Sequence, residues 1–406
     1  MGLRTFHVEH YKSLNDITLD FADDVTVIVG PNGVGKSNFV DALQFLRDAA
    51  GENLERAIAQ REGIGRILQT YKTKPYQIAM RCDMSDDSSY AMKLKADGAA
   101  GYAVVSEERN FPSLGIARQI ELPTLANKGL ERLQYPLVEA DSFSRRANGD
   151  VACPAFKGKQ TLPNDELALG KRMLDLRGLL GHRLMRQLRA WSHFTISPDL
   201  MRKAVGHSSA TSLLPTGENW ATAIKDLKKR PSGRETLTRI YDAMQAVVPS
   251  FQEVTIQAVG SYLVPRFFFK VKGFSKPVGY DPVQLSDGTL RLFGMLLAAY
   301  QPRPADGLLI IEEPEQTIYP GALTLLADVF KEVGKSTQIL ITTHSPHLVQ
   351  QFSPHQIRVA TLENGMTKIR PIHPHQKRAV EEGLIGLGEF MMNEGLQADD
   401  TEVSEQ

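Results

Sequence analysis

Apolar and polar positions alternate along the first thirty residues in three runs, 3–10, 15–21 and 24–29, and this period of two predicts three short strands. The third run, VTVIVG, leads straight into a glycine-rich stretch. Beyond it Phe39, Val40, Leu43, Phe45 and Leu46 recur at helical spacing, which predicts a helix from Lys36 to about Ala49. Alternation returns at 76–84, 89–97 and 101–107, with the turn-rich DMSDDSS between the first two. From about Pro154 the texture becomes helical and basic. NDELALGKRMLDLRGLLGHRLMRQLRAW predicts a long helix opening on an Asn or Asp cap, and a second helical stretch covers 219–248, interrupted at Pro231-Ser-Gly. Strand character resumes at 252–257 and 262–272, followed by the turn LSDGT and a helix through Leu296 and Ala299.

The remaining chain alternates strand and helix: LLIIEE, a helix over 320–333, QILITT, a short helix after Ser345-Pro346, then QIRVATLE. That order implies a parallel sheet. The expected fold is α/β, with a mixed or parallel core sheet, N-terminal antiparallel strands and an inserted helical lobe. Residues 1–153 and 236–396 would form one discontinuous domain, 154–235 the lobe, and 397–406 an acidic disordered tail.

Composition narrows this little. A hydrophobic fraction of 42% and a charged fraction of 23% are ordinary for a soluble globular chain. Cys82 and Cys153 form no CxxC and exclude a disulfide framework, which suits a reducing cytoplasm. No apolar run approaches the ~20 residues a membrane helix needs. Basic and acidic residues balance at 47 each, so overall charge makes no case for nucleic acid. Locally, 155–235 holds 15 Lys/Arg against 7 Asp/Glu, and 393–406 holds five acids and no base. The basic lobe is either a solvated helical face or a surface for DNA or a partner. Trp191, Trp220 and Phe267–Phe269 are expected in the core. His373 and His375, without further ligands nearby in sequence, are read as loop residues.

Four motifs carry the chemistry. In Gly30-Pro-Asn-Gly-Val-Gly-Lys-Ser37, glycines let backbone N–H groups curl around phosphate, and the following helix N-terminus adds its positive dipole end. Asn32, Gly33, Val34, Gly35, Lys36, Ser37 and Phe39 are the expected nucleotide-binding positions. Lys36 would bridge the terminal phosphates and Ser37 would ligate Mg²⁺. At the end of the apolar strand Leu308–Ile311, Glu312 would complete the Mg²⁺ shell and Glu313 would polarise the attacking water. In LSDGT, Ser286, Asp287 and Gly288 sit at a helix start, as a plain cap or as a second anion point contacting ATP held by another molecule. His344, just past QILITT, would hydrogen-bond a γ-phosphate. Lys36, Glu313 and His344 are thus the expected catalytic set, with ATP and Mg²⁺ as cofactors.

The order of P-loop, LSDG, acidic pair and histidine resembles ABC-type ATPase heads. The inserted lobe and the spellings EEPE and TTHS resemble the RecF/SMC/OLD-like AAA-family ATPases of prokaryotes, from the opening strand to about Leu396. The resemblance implies that Lys12 and Ser13 of HYKSL touch phosphate, and that a glutamine-bearing loop lies near the lobe, with Gln60 and Gln69 as candidates. Glu312 stands where transporters have Asp, and Tyr319 where OLD-type proteins often carry His. It implies a cytoplasmic head that dimerises or assembles further on ATP. Such a switch or sensor would serve anti-phage or plasmid defence with a separate effector, a nuclease or toxin in trans. A RecF-like repair ATPase clamping DNA is the alternative, and a transporter cassette is the weakest fit.

Overall fold

A computed structural model describes residues 2–51, 53–68, 77–97, 101–110, 143–145, 150–152, 160–161, 186–206, 208–304 and 306–400. Its largest feature is a sheet in the order β10-β15-β16-β3-β17-β18-β2-β1-β4-β5-β6-β7-β8-β9. Here β1 is Leu3–Tyr11, β2 Leu14–Asp20, β3 Val25–Val29, β4 Gln77–Met84, β5 Ser89–Asp97, β6 Gly101–Asn110, β7 Phe143–Arg145, β8 Asp150–Ala152 and β9 Gln160–Thr161. The other members are β10 Ser192–Phe194, β15 Leu308–Glu312, β16 Gln338–Thr343, β17 Ile357–Glu363 and β18 Met366–Pro371. Strands β10, β15, β16, β3 and β17 run parallel, and β2, β1, β4, β5 and β6 form an antiparallel wing. A smaller antiparallel sheet is built from β11 Val205–Gly206, β12 Phe251–Val259, β13 Tyr262–Phe269 and β14 Val278–Tyr280.

The apolar strands are continuous because both faces of the parallel core are covered. Successive side chains point to opposite faces. Val25, Val27 and Val29 of β3, Leu309 and Ile311 of β15, and Ile339 and Ile341 of β16 enter one core with the helices Asp287–Tyr300 and Pro320–Gly334. Ile28, Leu308, Ile310 and Leu340 enter the other, under the helix Lys36–Gly51 and the antiparallel wing. The two long strand-ending loops, 30–35 and 313–317, therefore emerge at one edge of a rigid platform.

Three expectations change. Ser192–Phe194, placed by the sequence reading inside a helical lobe, forms an edge strand of the main sheet beside β15. The helix Trp220–Lys228, assigned to the lobe, shares one core with Pro231–Val247, Asp287–Tyr300 and Pro320–Gly334. Residues 397–400, expected as a disordered tail, pack on the end of β18: Ala398 is buried and bridges Ile372, and the Asp399 N–H donates to the Pro371 carbonyl at 2.9 Å. Backbone pairing outweighs the acidic composition there. The helix expected over 164–191 lies outside the described residues except for 186–191, as do Gln69, Cys153 and 401–406. His373 caps the helix Pro374–Glu381 by accepting the His375 N–H.

Trp220 is fully buried, with ring centroids 5.4 Å from Phe267 and 5.7 Å from Phe293, and its indole N–H donates to the Met201 carbonyl at 2.9 Å. It joins the smaller sheet to the helix Asp287–Tyr300. Trp220→Ala should cost about 3–5 kcal/mol, the range for deleting a buried aromatic, read as a lowered urea midpoint.

Candidate functional site

The P-loop turns between β3 and its helix with Gly33 at φ 79° and Gly35 at φ 102°, conformations that favour glycine. A Cβ on Gly35 would lie 2.0 Å from Thr367 Oγ1 and 2.7 Å from Ser13 Oγ, so this glycine also permits close packing on β18. Lys36 is buried and its ammonium donates to the carbonyls of Gly30 at 2.7 Å and Pro31 at 2.9 Å. Burial pushes its pKa down, while Glu313, Glu315 and Glu312 oppose that shift. Asn32, Gly33 and Ser37 are exposed at the loop surface. Val34 is buried, its carbonyl accepting from Thr367.

Phe39 requires a correction. Its side chain is fully buried edge-on to Phe6 at 5.6 Å, and its N–H donates to the Gly35 carbonyl. Its ring anchors the helix in the core.

Across from the loop, the Ser37 hydroxyl donates to Glu312 Oε2 at 2.6 Å. Two hard oxygen donors in contact suit Mg²⁺, which prefers oxygen ligands and completes its shell with phosphate and water. Among the described residues no group of three or more His, Cys, Asp or Glu could hold a metal ion. The other oxygen of Glu312, Oε1, meets His193 Nε2 at 2.7 Å.

Glu313 follows with φ 43°, its N–H on the Thr342 carbonyl at 2.8 Å and its own carbonyl accepting from Arg291 at 3.3 Å. Its carboxylate accepts from Gln316, and Oε1 lies 3.6 Å from His344 Nδ1. His344 is positioned by Glu315, which accepts the His344 N–H at 3.0 Å and the Thr343 hydroxyl at 2.6 Å. Among the described residues, four buried polar atoms at this edge lack a hydrogen-bond partner: Glu315 Oε2, His344 Nδ1, Arg291 Nε and Thr342 Oγ1. Buried polar groups are ordinarily paired, so these four, gathered around Glu313, leave the hydrogen bonding of this edge incomplete.

Ser286 caps the helix Asp287–Tyr300 by accepting the Thr289 N–H. Its hydroxyl and Asp287 stay exposed, while a Cβ on Gly288 would lie 2.6 Å from the Thr317 carbonyl. The cap is therefore real, and the turn abuts the segment that carries Glu313. Arg202 donates to the Leu285 carbonyl at 2.9 Å and to Asp287 at 2.5 Å.

Lys12, expected at phosphate, pairs instead with Asp41 at 2.5 Å. Asp41 also accepts from Tyr11 at 2.7 Å and Arg61 at 2.8 Å. Burial works against the Asp41 carboxylate, but Lys12, Arg61 and Tyr11 together hold its pKa below the usual range. Ser13 bonds Thr367 at 2.6 Å and accepts from Asn38 at 2.8 Å, directly under the P-loop. Gln60 caps the helix Leu54–Ala59 through its backbone, and among the described residues no side-chain hydrogen bond ties it to the site. The residues that the sequence reading missed are His193, Arg202, Arg291 and Glu315. Only Glu315, inside EEPE, carried a local signal.

Comparison with known proteins agrees with this geometry. Residues 1–144 match the family model "AAA ATPase domain", and residues 205–350 match "AAA domain, putative AbiEii toxin, Type IV TA system". A chromosome partition protein Smc of Mycoplasma genitalium is 38% identical over 88 residues, 21% of this chain and 9% of that protein. The chain thus spans about a tenth of that relative's length. The "Retron Ec83 probable ATPase" of Escherichia coli is 20% identical over 399 residues, covering 88% of this chain and 71% of the relative. The fold is that of an SMC head: the crystal structure of an Smc head bound to the C-winged helix domain of ScpA superposes with a TM-score of 0.54 at 12% identity, covering 93% of this chain and 99% of that one.

The Asp41 cluster gives a signed pH expectation. A carboxylate whose folded pKa is depressed stabilises the fold above its unfolded pKa, about 4, and loses that contribution as pH falls through the folded value. The stability difference between wild type and Asp41→Asn should be full at neutral pH and shrink below about pH 4, as measured by urea denaturation across the acid range.

Proposed function

Starting from a chain that is a P-loop ATPase of the SMC/RecF/OLD-like AAA type, we propose that it is an ATP-gated switch whose heads close in pairs on nucleotide. The observation that carries this is the Ser37–Glu312 contact at 2.6 Å beside a buried Lys36. Lys36, the P-loop backbone and Ser13 would hold the phosphates. Ser37 and Glu312 would hold Mg²⁺, which neutralises charge on the transferring phosphoryl group. Glu313, turned toward His344 by its positive φ, would orient the attacking water. His344, fixed through its backbone by Glu315, would contact the γ-phosphate. Lys12 would have to leave Asp41 to reach phosphate.

Ser286, Asp287 and Gly288 would meet the nucleotide of a second head, where an exposed helix N-terminus favours anions. Hydrolysis would then release the pair. Work beside a separate effector in defence against phage or plasmids is supported by the likeness to the retron ATPase and to the family model whose description names a toxin–antitoxin system. A RecF-like DNA clamp is the second reading. It draws on a RecF of Psychromonas ingrahamii, 32% identical over 73 residues, 18% of this chain and 16% of that protein. Within the basic stretch 155–235, three cations already have partners in this chain. Lys228 donates to the Val254 carbonyl, and Lys229 and Arg230 pair with Asp226.

Two outcomes test the proposal. Lys36→Ala should lower ATP turnover by about 10²–10³-fold, the loss expected when a phosphate-stabilising donor is removed, and unchanged turnover would sink the mechanism. Glu313→Gln should double its solution mass with ATP and Mg²⁺, and added Ser286→Arg should abolish the doubling. A mass indifferent to ATP removes the paired-head reading. Binding to duplex DNA that falls steeply with salt would favour the clamp.

A further inference from the structure

One segment, 192–202, touches both halves of the proposed site. His193 lies on β10, opposite Ile310 in the parallel ladder with β15, and its Nε2 meets Glu312 Oε1 at 2.7 Å. Since Ser37 occupies the other oxygen, the Glu312 carboxylate is fixed on both sides. Nine residues later Arg202 holds the LSDGT turn through the Leu285 carbonyl and the Asp287 carboxylate. A guanidinium at a helix N-terminus opposes the helix dipole, which favours anions there. Helix stability therefore does not explain Arg202, whereas fixing the turn does.

The path between the two contacts has no slack. The Thr195 and Ser197 N–H groups donate to the carbonyls of Pro215 at 2.9 Å and Thr216 at 3.0 Å. Ile196 and Met201 are buried against the helix Asp287–Tyr300 at Gly294, where a Cβ would lie 2.6 Å from Ile196 and 3.0 Å from Met201. The Met201 carbonyl accepts from Trp220. Close-packed interiors of this kind pass displacement on rather than absorb it.

We propose that His193 and Arg202 are positioning residues tying the Glu312 carboxylate to the LSDGT turn of the same head, through the rigid segment between them. A shift of Glu312 on taking a cation and nucleotide moves His193, and with it the placement of Ser286 and Gly288. This rests on the reading of Glu312 as the cation-binding acid and LSDGT as the partner-facing half-site. Because coupling free energies are reciprocal, a change at Arg202 must be felt at the head's own nucleotide.

The test is the affinity of single, dilute heads for a fluorescent ATP analogue, with Mg²⁺ and with EDTA. Arg202→Gln should weaken the Mg²⁺-dependent affinity about 5-fold or more, the lower end of coupling between linked sites. His193→Ala should do the same, and the double variant should lose no more than the larger single loss, because both cut one connection. Affinity in EDTA and the melting temperature should hold, and His193→Gln, which keeps an N–H donor, should recover most of the loss. Additive losses, or an Arg202→Gln head that binds Mg²⁺ and ATP like wild type, overturn the proposal. Failure of the paired-head reading would leave this measurement untouched, since it needs no second head. A wild-type head whose ATP affinity ignores Mg²⁺ would remove the reading of Glu312 and this inference together.

Discussion

The carboxylate of Glu312, held at 2.6 Å by Ser37 and at 2.7 Å by His193, is the contact around which the structure is organised. It joins three strands that are far apart in sequence: β3, through the P-loop that follows it, β15, which ends on Glu312, and β10. A carboxylate held on both oxygens cannot rotate freely, so the positions of Ser37 and of the strand ends become one geometric quantity. The buried parallel ladder supplies the stiffness, because side chains on both faces of β3, β15 and β16 are locked in close-packed cores.

The same edge concentrates polar groups that the fold does not satisfy by itself. Glu315 spends one oxygen on the His344 backbone and the Thr343 hydroxyl, and leaves the other buried without a partner. Arg291 reaches the Glu313 carbonyl from the helix that LSDGT begins, while its Nε stays unpaired. Buried unpaired groups cost free energy, and among the described residues four such atoms gather at this edge, with Gln187 Oε1, Thr222 Oγ1 and Arg303 Nε elsewhere. The fold thus tolerates local instability at an edge where phosphate chemistry would use it.

Lys12 shows how a local motif and the tertiary structure can disagree. HYKSL places a basic residue and a serine at the right turn for phosphate, and Ser13 does lie under the P-loop. Lys12, at φ 51°, turns to Asp41, which Arg61 and Tyr11 also engage. An ammonium satisfied by a partly buried carboxylate has little reason to leave it without a stronger anion nearby.

The sequence by itself determined the elements whose signal is local. Glycine spacing at 30–37, the apolar run ending on Glu312, the LSDGT cap and the strand before His344 were legible because backbone conformation and strand burial leave short-range patterns. The N-terminal strands and the helix from Lys36 matched to within a residue or two at most ends. Only the tertiary structure decided what depends on distant chain segments meeting. Ser192–Phe194, three residues long and preceded by a helical pattern, becomes a strand only because β15 offers it a parallel edge. His193 and Arg202 acquire meaning from partners 119 and 85 residues away. Phe39 was misjudged because motif position says nothing about which side of a helix faces Phe6. Periodicity reports the local backbone and its buried face. Which charges end up touching is settled by packing, and packing is not written in any one stretch of the chain.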